Sequence, residues 1–164
     1  MSIPNIQHMS DVAIQSLTRI ISGGQTGVDR AALDIAIQLD IPHGGWCPRG
    51  RRAEDGIIDG RYHLKETVSE DYAQRTEFNV RDSDGTLILN IGELSGGTLL
   101  TAQCARQLNR PLLIINLNEP FVCAPVYTWL NRSEIKILNI AGPRESKWTG
   151  IYKLASIYLE KIFS

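Results

Sequence analysis

The sequence predicts an α/β fold, a Rossmann-like open and mostly parallel sheet with helices on both faces. Three observations predict it. Short apolar runs alternate along the chain with stretches whose apolar residues recur at helical spacing. The three clearest runs each lead into a glycine-bearing loop, and strand, glycine turn and helix in that order make half of a βαβ unit. The chain is 164 residues long, which suits one domain and leaves little room for two.

Residues 1–17, with Val12, Ile14 and Leu17, show no convincing period and read as an N-terminal extension to a single domain over 18–164. Arg19-Ile20-Ile21-Ser22 is the first strand, running directly into Gly23-Gly24. Val28, Ala31, Ala32, Ile35, Ala36 and Leu39 give the first helix its apolar stripe, which Pro42 stops. Gly44 to Pro48 holds a very short strand, and a polar run from Arg49 to Asp55 follows. A further strand is predicted over 62–68 and a weak helix over 72–81. Thr86 to Asn90 is a buried strand announced by Asp84-Gly85, and Gly96-Gly97 opens a helix that Pro111 closes. Leu112 to Leu117 is the next strand, Pro125 to Leu130 a helix, and Ile135 to Ile140 the last strand. The final helix carries Tyr152, Ala155, Tyr158 and Ile162 on one stripe, with Pro143 placed at or near its first turn. Right-handed crossovers between these strands give the open sheet its expected form.

Charge narrows the function classes. Lys plus Arg number 17 and Asp plus Glu 18, a formal net charge of -1, which excludes the broad basic surface that dominates nucleic-acid binding. Three scattered cysteines, Cys47, Cys104 and Cys123, form no CxxC pair and suit a reducing cytoplasm. The longest apolar runs are only a few residues, so no membrane span is expected, and the N-terminus does not read as a signal peptide. His8, His43 and His63 have no ligand-like spacing, so no metal site is expected on them.

In a parallel sheet the loops at the carboxyl edge converge, and there ligands bind. The three loops are Ser22-Gly23-Gly24-Gln25-Thr26-Gly27, Glu93-Leu94-Ser95-Gly96-Gly97-Thr98 and Ala141-Gly142-Pro143-Arg144-Glu145-Ser146. Glycine lets backbone approach a ligand closely, and the helix N-termini that follow favour a negative group. Thr26, Ser95, Thr98 and Ser146 add hydroxyls; Arg30 and Arg144 add charge. Charge-assisted hydrogen bonds contribute about 1.5–3 kcal/mol each, so four approach the roughly 8 kcal/mol of a micromolar complex. The same loops also read as tight strand-to-helix turns. Trp46 reads either as a platform for a flat ring or as a packed side chain. Arg49, Arg51 and Arg52 either close over an anion or join Glu54 and Asp55 in a solvated cluster. Asp29 is a helix-dipole residue or a partner for a ligand N–H. No catalytic triad or paired-carboxylate order is visible.

The string Ile21 to Ala31, together with Gly45-Trp46-Cys47-Pro48, Arg75-Thr76-Glu77, Asn79-Val80, Asp84-Gly85-Thr86 and Gly142 to Ser146, resembles the molybdenum carrier family of molybdenum cofactor carrier proteins. The resemblance runs from about Thr18 to the final helix. It implies a Rossmann-like fold, commonly a homotetramer, that binds and protects molybdenum cofactor, a pyranopterin dithiolene with one phosphate and an oxo-molybdenum centre. It also implies partners among molybdoenzymes or cofactor-synthesis proteins, with neither nucleic acid nor membrane. The fold is similar to that of lysine-decarboxylase-like phosphoribohydrolases, whose PGGxGTxxE signature ends in a glutamate that serves hydrolysis. The corresponding stretch, Ser95 to Thr101, lacks the leading proline and that glutamate, which fits a carrier better than a hydrolase. A nucleotide-binding protein or nucleotide hydrolase is the alternative.

On this resemblance the cofactor's oxyanions are expected at Gly23, Gly24, Gln25, Thr26 and Gly27 and at Ser95, Gly96, Gly97 and Thr98. Arg30, Arg49 and Arg144 balance charge, Trp46 meets the pterin, and Asn90, Glu93 and Ser146 are hydrogen-bonding neighbours. No catalytic residue, and no cysteine or other protein ligand to molybdenum, is expected, with Cys47 the residue closest to being an exception.

Overall fold

The computed structural model describes residues 17–164, so the expected extension lies almost wholly outside it. Five parallel strands form the central sheet in the order β2-β1-β9-β7-β8. These are β1 (Arg19–Ile21), β2 (His43–Gly44), β7 (Gly85–Asn90), β8 (Leu112–Asn116) and β9 (Ile137–Ala141). The chain crosses over through α1 (Val28–Gln38) from β1 to β2, α3 (Gly96–Gln107) from β7 to β8, and α4 (Ala124–Arg132) from β8 to β9. Helix α2 (Tyr72–Arg81) precedes β7, and α5 (Ile151–Phe163) ends the chain. The predicted doubly covered parallel sheet is the observed architecture.

Strand alternation divides the interior unequally. Ile20, Leu87, Leu89, Leu138 and Ile140 point to one face, where α1, α4 and α5 supply Ala32, Ile35, Leu130, Ala155, Tyr158 and Ile162 to the main apolar core. Residues one step along point to the other face, and several are polar. Thr86, Asn90 and Asn139 are all nearly inaccessible there, and Asn139 donates to the Thr86 hydroxyl at 3.2 Å. The apolar cluster that α2 and α3 contribute on this side is small, built on Val80, Cys104 and Ala105.

Two expectations are corrected. The strand predicted over 62–68 is only β6 (Lys65–Glu66), which pairs with β3 (Trp46–Cys47) outside the main sheet. Its flanks are engaged otherwise: Tyr62 and Leu64 turn inward onto Leu33, Cys47 and Ile58, and form a separate small core. Pro143 does not start the last helix. The Pro143 carbonyl instead accepts the Val28 N–H at 3.2 Å, which ties the third loop to the first. Helix α5 begins only at Ile151, after Gly150 in the left-handed region, and the Glu145 carboxylate accepts the N–H groups of Gly150 and Tyr152.

The polar run after Arg49 contains a hairpin of β4 (Arg52–Ala53) and β5 (Gly56–Ile57), with Glu54 and Asp55 at its tip. Arg51 fastens its base by donating to the carbonyls of Ile58, Asp59, Tyr62 and Leu64. Among the described residues no helix is long and apolar enough to cross a membrane.

Candidate functional site

The carboxyl ends of β1, β7 and β9 open on the polar side of the sheet into a cavity of about 220 Å3. Its rim comes from all three glycine loops: Gly23 and Gln25, Ser95 to Thr98, and Ala141 to Arg144. Asn90 and Asn139 come from the strands, and Tyr72, Arg75, Thr76 and Asn79 of α2 form the opposite wall. Lys147 stands beside Arg144 among the lining residues.

At its inner end lies a buried ion pair. Asp29, in the first turn of α1, accepts the Gln25 N–H at 3.3 Å and faces Arg75 at 3.6 Å. Arg75 also donates to the Gly23 carbonyl at 2.7 Å. A Cβ on Gly23 would stand 2.3 Å from that guanidinium, so glycine here is what lets the arginine lie against the loop. Burial pushes the Asp29 carboxyl above its ordinary range, against the pull of Arg75, the Gln25 N–H and Arg30. Asn79 donates to the Trp46 carbonyl at 3.0 Å and accepts the Trp46 N–H at 2.8 Å, which locks α2 to β3.

The N-terminus of α3 forms a different kind of wall. Ser95 is extended and makes no side-chain bond to its own helix. Nothing lies within 4 Å of where a Cβ would stand on Gly96 or Gly97. The first turn of a twelve-residue helix, whose leading N–H groups have no partner within the helix, therefore borders open space at the cavity. Thr101, three residues after Thr98, donates to the Gly97 carbonyl at 2.8 Å. Among the described residues that line the cavity, Asp29 is the one acidic residue.

Of the residues singled out from sequence, Gly23, Gln25, Asn90, Ser95, Gly96, Gly97, Thr98 and Arg144 meet at this cavity. The others lie elsewhere. Gly24 turns toward Leu64 and Ile58, and its carbonyl accepts two bonds from Arg30. Arg30 is further held by Asp55 at 3.0 Å, on the side of the loop away from the cavity. Gly27 packs against the Pro143 carbonyl. Thr26 and Ser146 both donate to Glu54 at the hairpin tip. Trp46 donates its indole N–H to Asp82 at 2.8 Å and meets Phe78 edge-on at 5.3 Å, so its ring is packed on α2. Arg49 and Glu93 are exposed and line neither this cavity nor the groove beside Arg30. Cys47 is enclosed by Leu33, Ile58 and Tyr62, and burial pushes its thiol up.

Arg75, Asn79, Thr76 and Asn139 line the cavity without having been singled out as site residues. A signal for them existed. Helix α2 buries Arg75, Thr76, Asn79 and Val80, so the stripe where apolar residues belong is mostly polar. Asn139 likewise interrupts a strand that is otherwise apolar on both faces. Polar residues in inward positions mark a cavity as clearly as glycines mark a turn.

The chain matches the model of the circularly permutated YpsA SLOG family over residues 20–163. It is similar to a solved structure from Syntrophus aciditrophicus SB named "Putative molybdenum carrier protein". The two are 47% identical, with a TM-score of 0.88 over 90% of this chain and 95% of that one. A structure of (E)-4-hydroxy-3-methyl-but-2-enyl diphosphate reductase aligns at 13% identity and a TM-score of 0.37, over 98% of this chain and 66% of that one; so remote a likeness is uninformative about function. No curated protein matches the chain.

Proposed function

We propose that this chain, which belongs to the circularly permutated YpsA SLOG family, binds, protects and delivers molybdenum cofactor as a noncatalytic carrier. The observation that carries the reading is the open N-terminus of α3 facing a cavity walled by Arg75, Asn79, Asn90 and Asn139. The name of the 47%-identical relative directs it to a molybdenum-containing ligand.

The donors fit the cofactor's chemistry. The space above Gly96 and Gly97 suits a phosphate, which the amides of Gly96 to Thr98 and the Ser95 and Thr98 hydroxyls would hold. Arg144 and Lys147 would balance its charge from the rim. The amides of Asn90 and Asn139 and the Asp29 carboxylate, with Asn79 held in place beside them by Trp46, offer both donors and acceptors to a pterin ring. Ligand pockets that enclose a whole drug-sized molecule run from about 300 Å3 upward, so a cavity of about 220 Å3 leaves part of this ligand outside. Partial exposure suits a protein that must release what it holds. No cysteine is among the lining residues, so the cargo would be held without a thiolate bond from the protein. A homotetramer working in the cytoplasm, exchanging cargo with cofactor-synthesis proteins or molybdoenzymes, completes the reading.

Purified protein mixed anaerobically with free cofactor and then desalted is expected to retain molybdenum and pterin fluorescence in near-stoichiometric amounts. Retention of neither would end the proposal. A parallel panel of nucleoside monophosphates tests the hydrolase reading, and released ribose phosphate would favour it over a carrier.

A further inference from the structure

The hairpin tip is tied to the loops in a way that packing alone does not require. Glu54 extends from the turn between β4 and β5 into the gap between the first and third loops. Its carboxylate accepts the Thr26 hydroxyl, the Ser146 N–H at 3.1 Å and the Ser146 hydroxyl at 2.5 Å, with the Arg144 guanidinium at 3.6 Å. The neighbouring Asp55 accepts two bonds from Arg30, at 3.0 and 3.1 Å. One two-residue turn therefore pairs with both Arg30 and Arg144.

Four donors converging on a pair of anionic oxygens are what a tetrahedral oxyanion also requires. Three of the four come from Thr26 and Ser146, neither of which lines the large cavity, while Arg144 belongs to both places. Burial alone would raise the Glu54 carboxyl, but the Ser146 and Thr26 hydrogen bonds and Arg144 outweigh it and hold it below its ordinary range. The donor set thus favours a full negative charge. The tip is held through these side chains and through the Glu54 N–H, which donates to the Gln25 side-chain oxygen at 2.8 Å, while its outer side is open. Gly56 has nothing within 4 Å of a Cβ position, Ile57 is largely exposed, and the strands on either side are two residues each.

We infer that Thr26, Arg144 and Ser146 form a second oxyanion site, for a dianion of the phosphate or molybdate class, which the Glu54 carboxylate occupies until such a ligand displaces it. The hairpin then acts as a tethered competitor, and lifting it releases Arg30 from Asp55 in the same movement. A ligand carrying two anionic groups could place one at the α3 N-terminus and the other here, with Arg144 between them. The site rests on its own donors and does not depend on the cofactor reading.

The test titrates inorganic phosphate and, separately, molybdate into the full chain by calorimetry. Glu54→Ala is expected to bind at least one of them about tenfold more tightly than the native protein, because the tethered competitor is gone. Adding Ser146→Ala to Glu54→Ala is expected to abolish that gain, which assigns it to this site and not to the α3 end. Glu54→Gln, which keeps the shape and loses the charge, is expected to show a smaller gain. Equal affinity in native protein and both folded Glu54 variants would overturn the inference, as would a gain that survives Ser146→Ala. If the Glu54 variants are too unstable to titrate, phosphate or molybdate should raise their melting temperature more than that of the native protein. No such rise would also overturn it. Failure of cofactor retention with success here would remove the carrier reading and leave this site standing.

Discussion

The chain contains Ser-Gly-Gly twice, each time where a strand ends, and the two copies do opposite things. In Ser22-Gly23-Gly24 every residue is engaged by its surroundings. The serine hydroxyl donates to the Ile140 carbonyl at 2.8 Å, Gly23 lies against Arg75, and Gly24 faces Leu64 and Ile58. Helix α1 starts only at Val28, after Gly27 has brought the loop against Pro143. In Ser95-Gly96-Gly97 the helix starts at once, and the glycines face nothing. The same three letters make a packing joint in one place and an open helix start in the other. What a glycine loop offers a ligand is decided by what else has claimed its free space.

The largest effect expected from this contrast is at the packed loop. Gly27 has φ +77°, and an added Cβ would stand 2.2 Å from the Pro143 carbonyl oxygen, which is backbone and cannot step aside. Gly27→Ala is expected to cost about 3 kcal/mol or more in denaturant unfolding, from the strained φ and the overpacking together. A cost under about 1 kcal/mol would mean that the first loop is as open as the second.

Next comes the ion pair beneath it. Arg75→Leu leaves Asp29 buried without its nearest cation and is expected to cost about 3 kcal/mol at neutral pH. The pH dependence has a definite sign. The Asp29 carboxyl is raised in the folded protein, so the native state holds its proton to higher pH than the unfolded chain does. That group's contribution to stability therefore falls as pH rises through the interval between the two values. Arg75 opposes the rise, so its loss widens the interval. The penalty of Arg75→Leu should shrink as pH is lowered, and a penalty independent of pH would show that Asp29 is not what the mutation strands.

The smallest effect on stability, and the one that sharpens the contrast most, is at the open loop. Gly97→Ala is expected to leave the fold unchanged or stabilise it by about 0.5 kcal/mol, since alanine suits a helix better and meets no atom. The same methyl enters the space proposed for the ligand, so cofactor retention should fall while the melting temperature does not. Loss of both together would place Gly97 in the scaffold.

The sheet was largely readable in the sequence because its signals are local. Leu87-Ile88-Leu89 and the run from Leu112 need no partner to announce a strand, and Pro42 and Pro111 mark helix ends by their own chemistry. Pro143 departs from its local helix-start signal because a distant contact overrides it: its carbonyl serves Val28. Trp46 stood beside glycines in a motif, but Phe78 and Asp82, more than thirty residues on, decide where its ring packs.

By itself the sequence determined the order of strands and helices, the glycine loops at the carboxyl edge, and a charge balance that leaves any anion site to local geometry. Apolar runs and helical spacing are properties of a dozen consecutive residues, which is why they could be read from the letters alone. Only the tertiary structure decided which polar groups face the cavity. Arg30, Thr26 and Ser146 looked available and are held by Asp55 and Glu54, whereas Arg75, Asn79 and Asn139 looked incidental and line the cavity. A hydrogen-bonding group is satisfied by whichever partner the fold brings within about 3 Å, and that partner can lie anywhere along the chain.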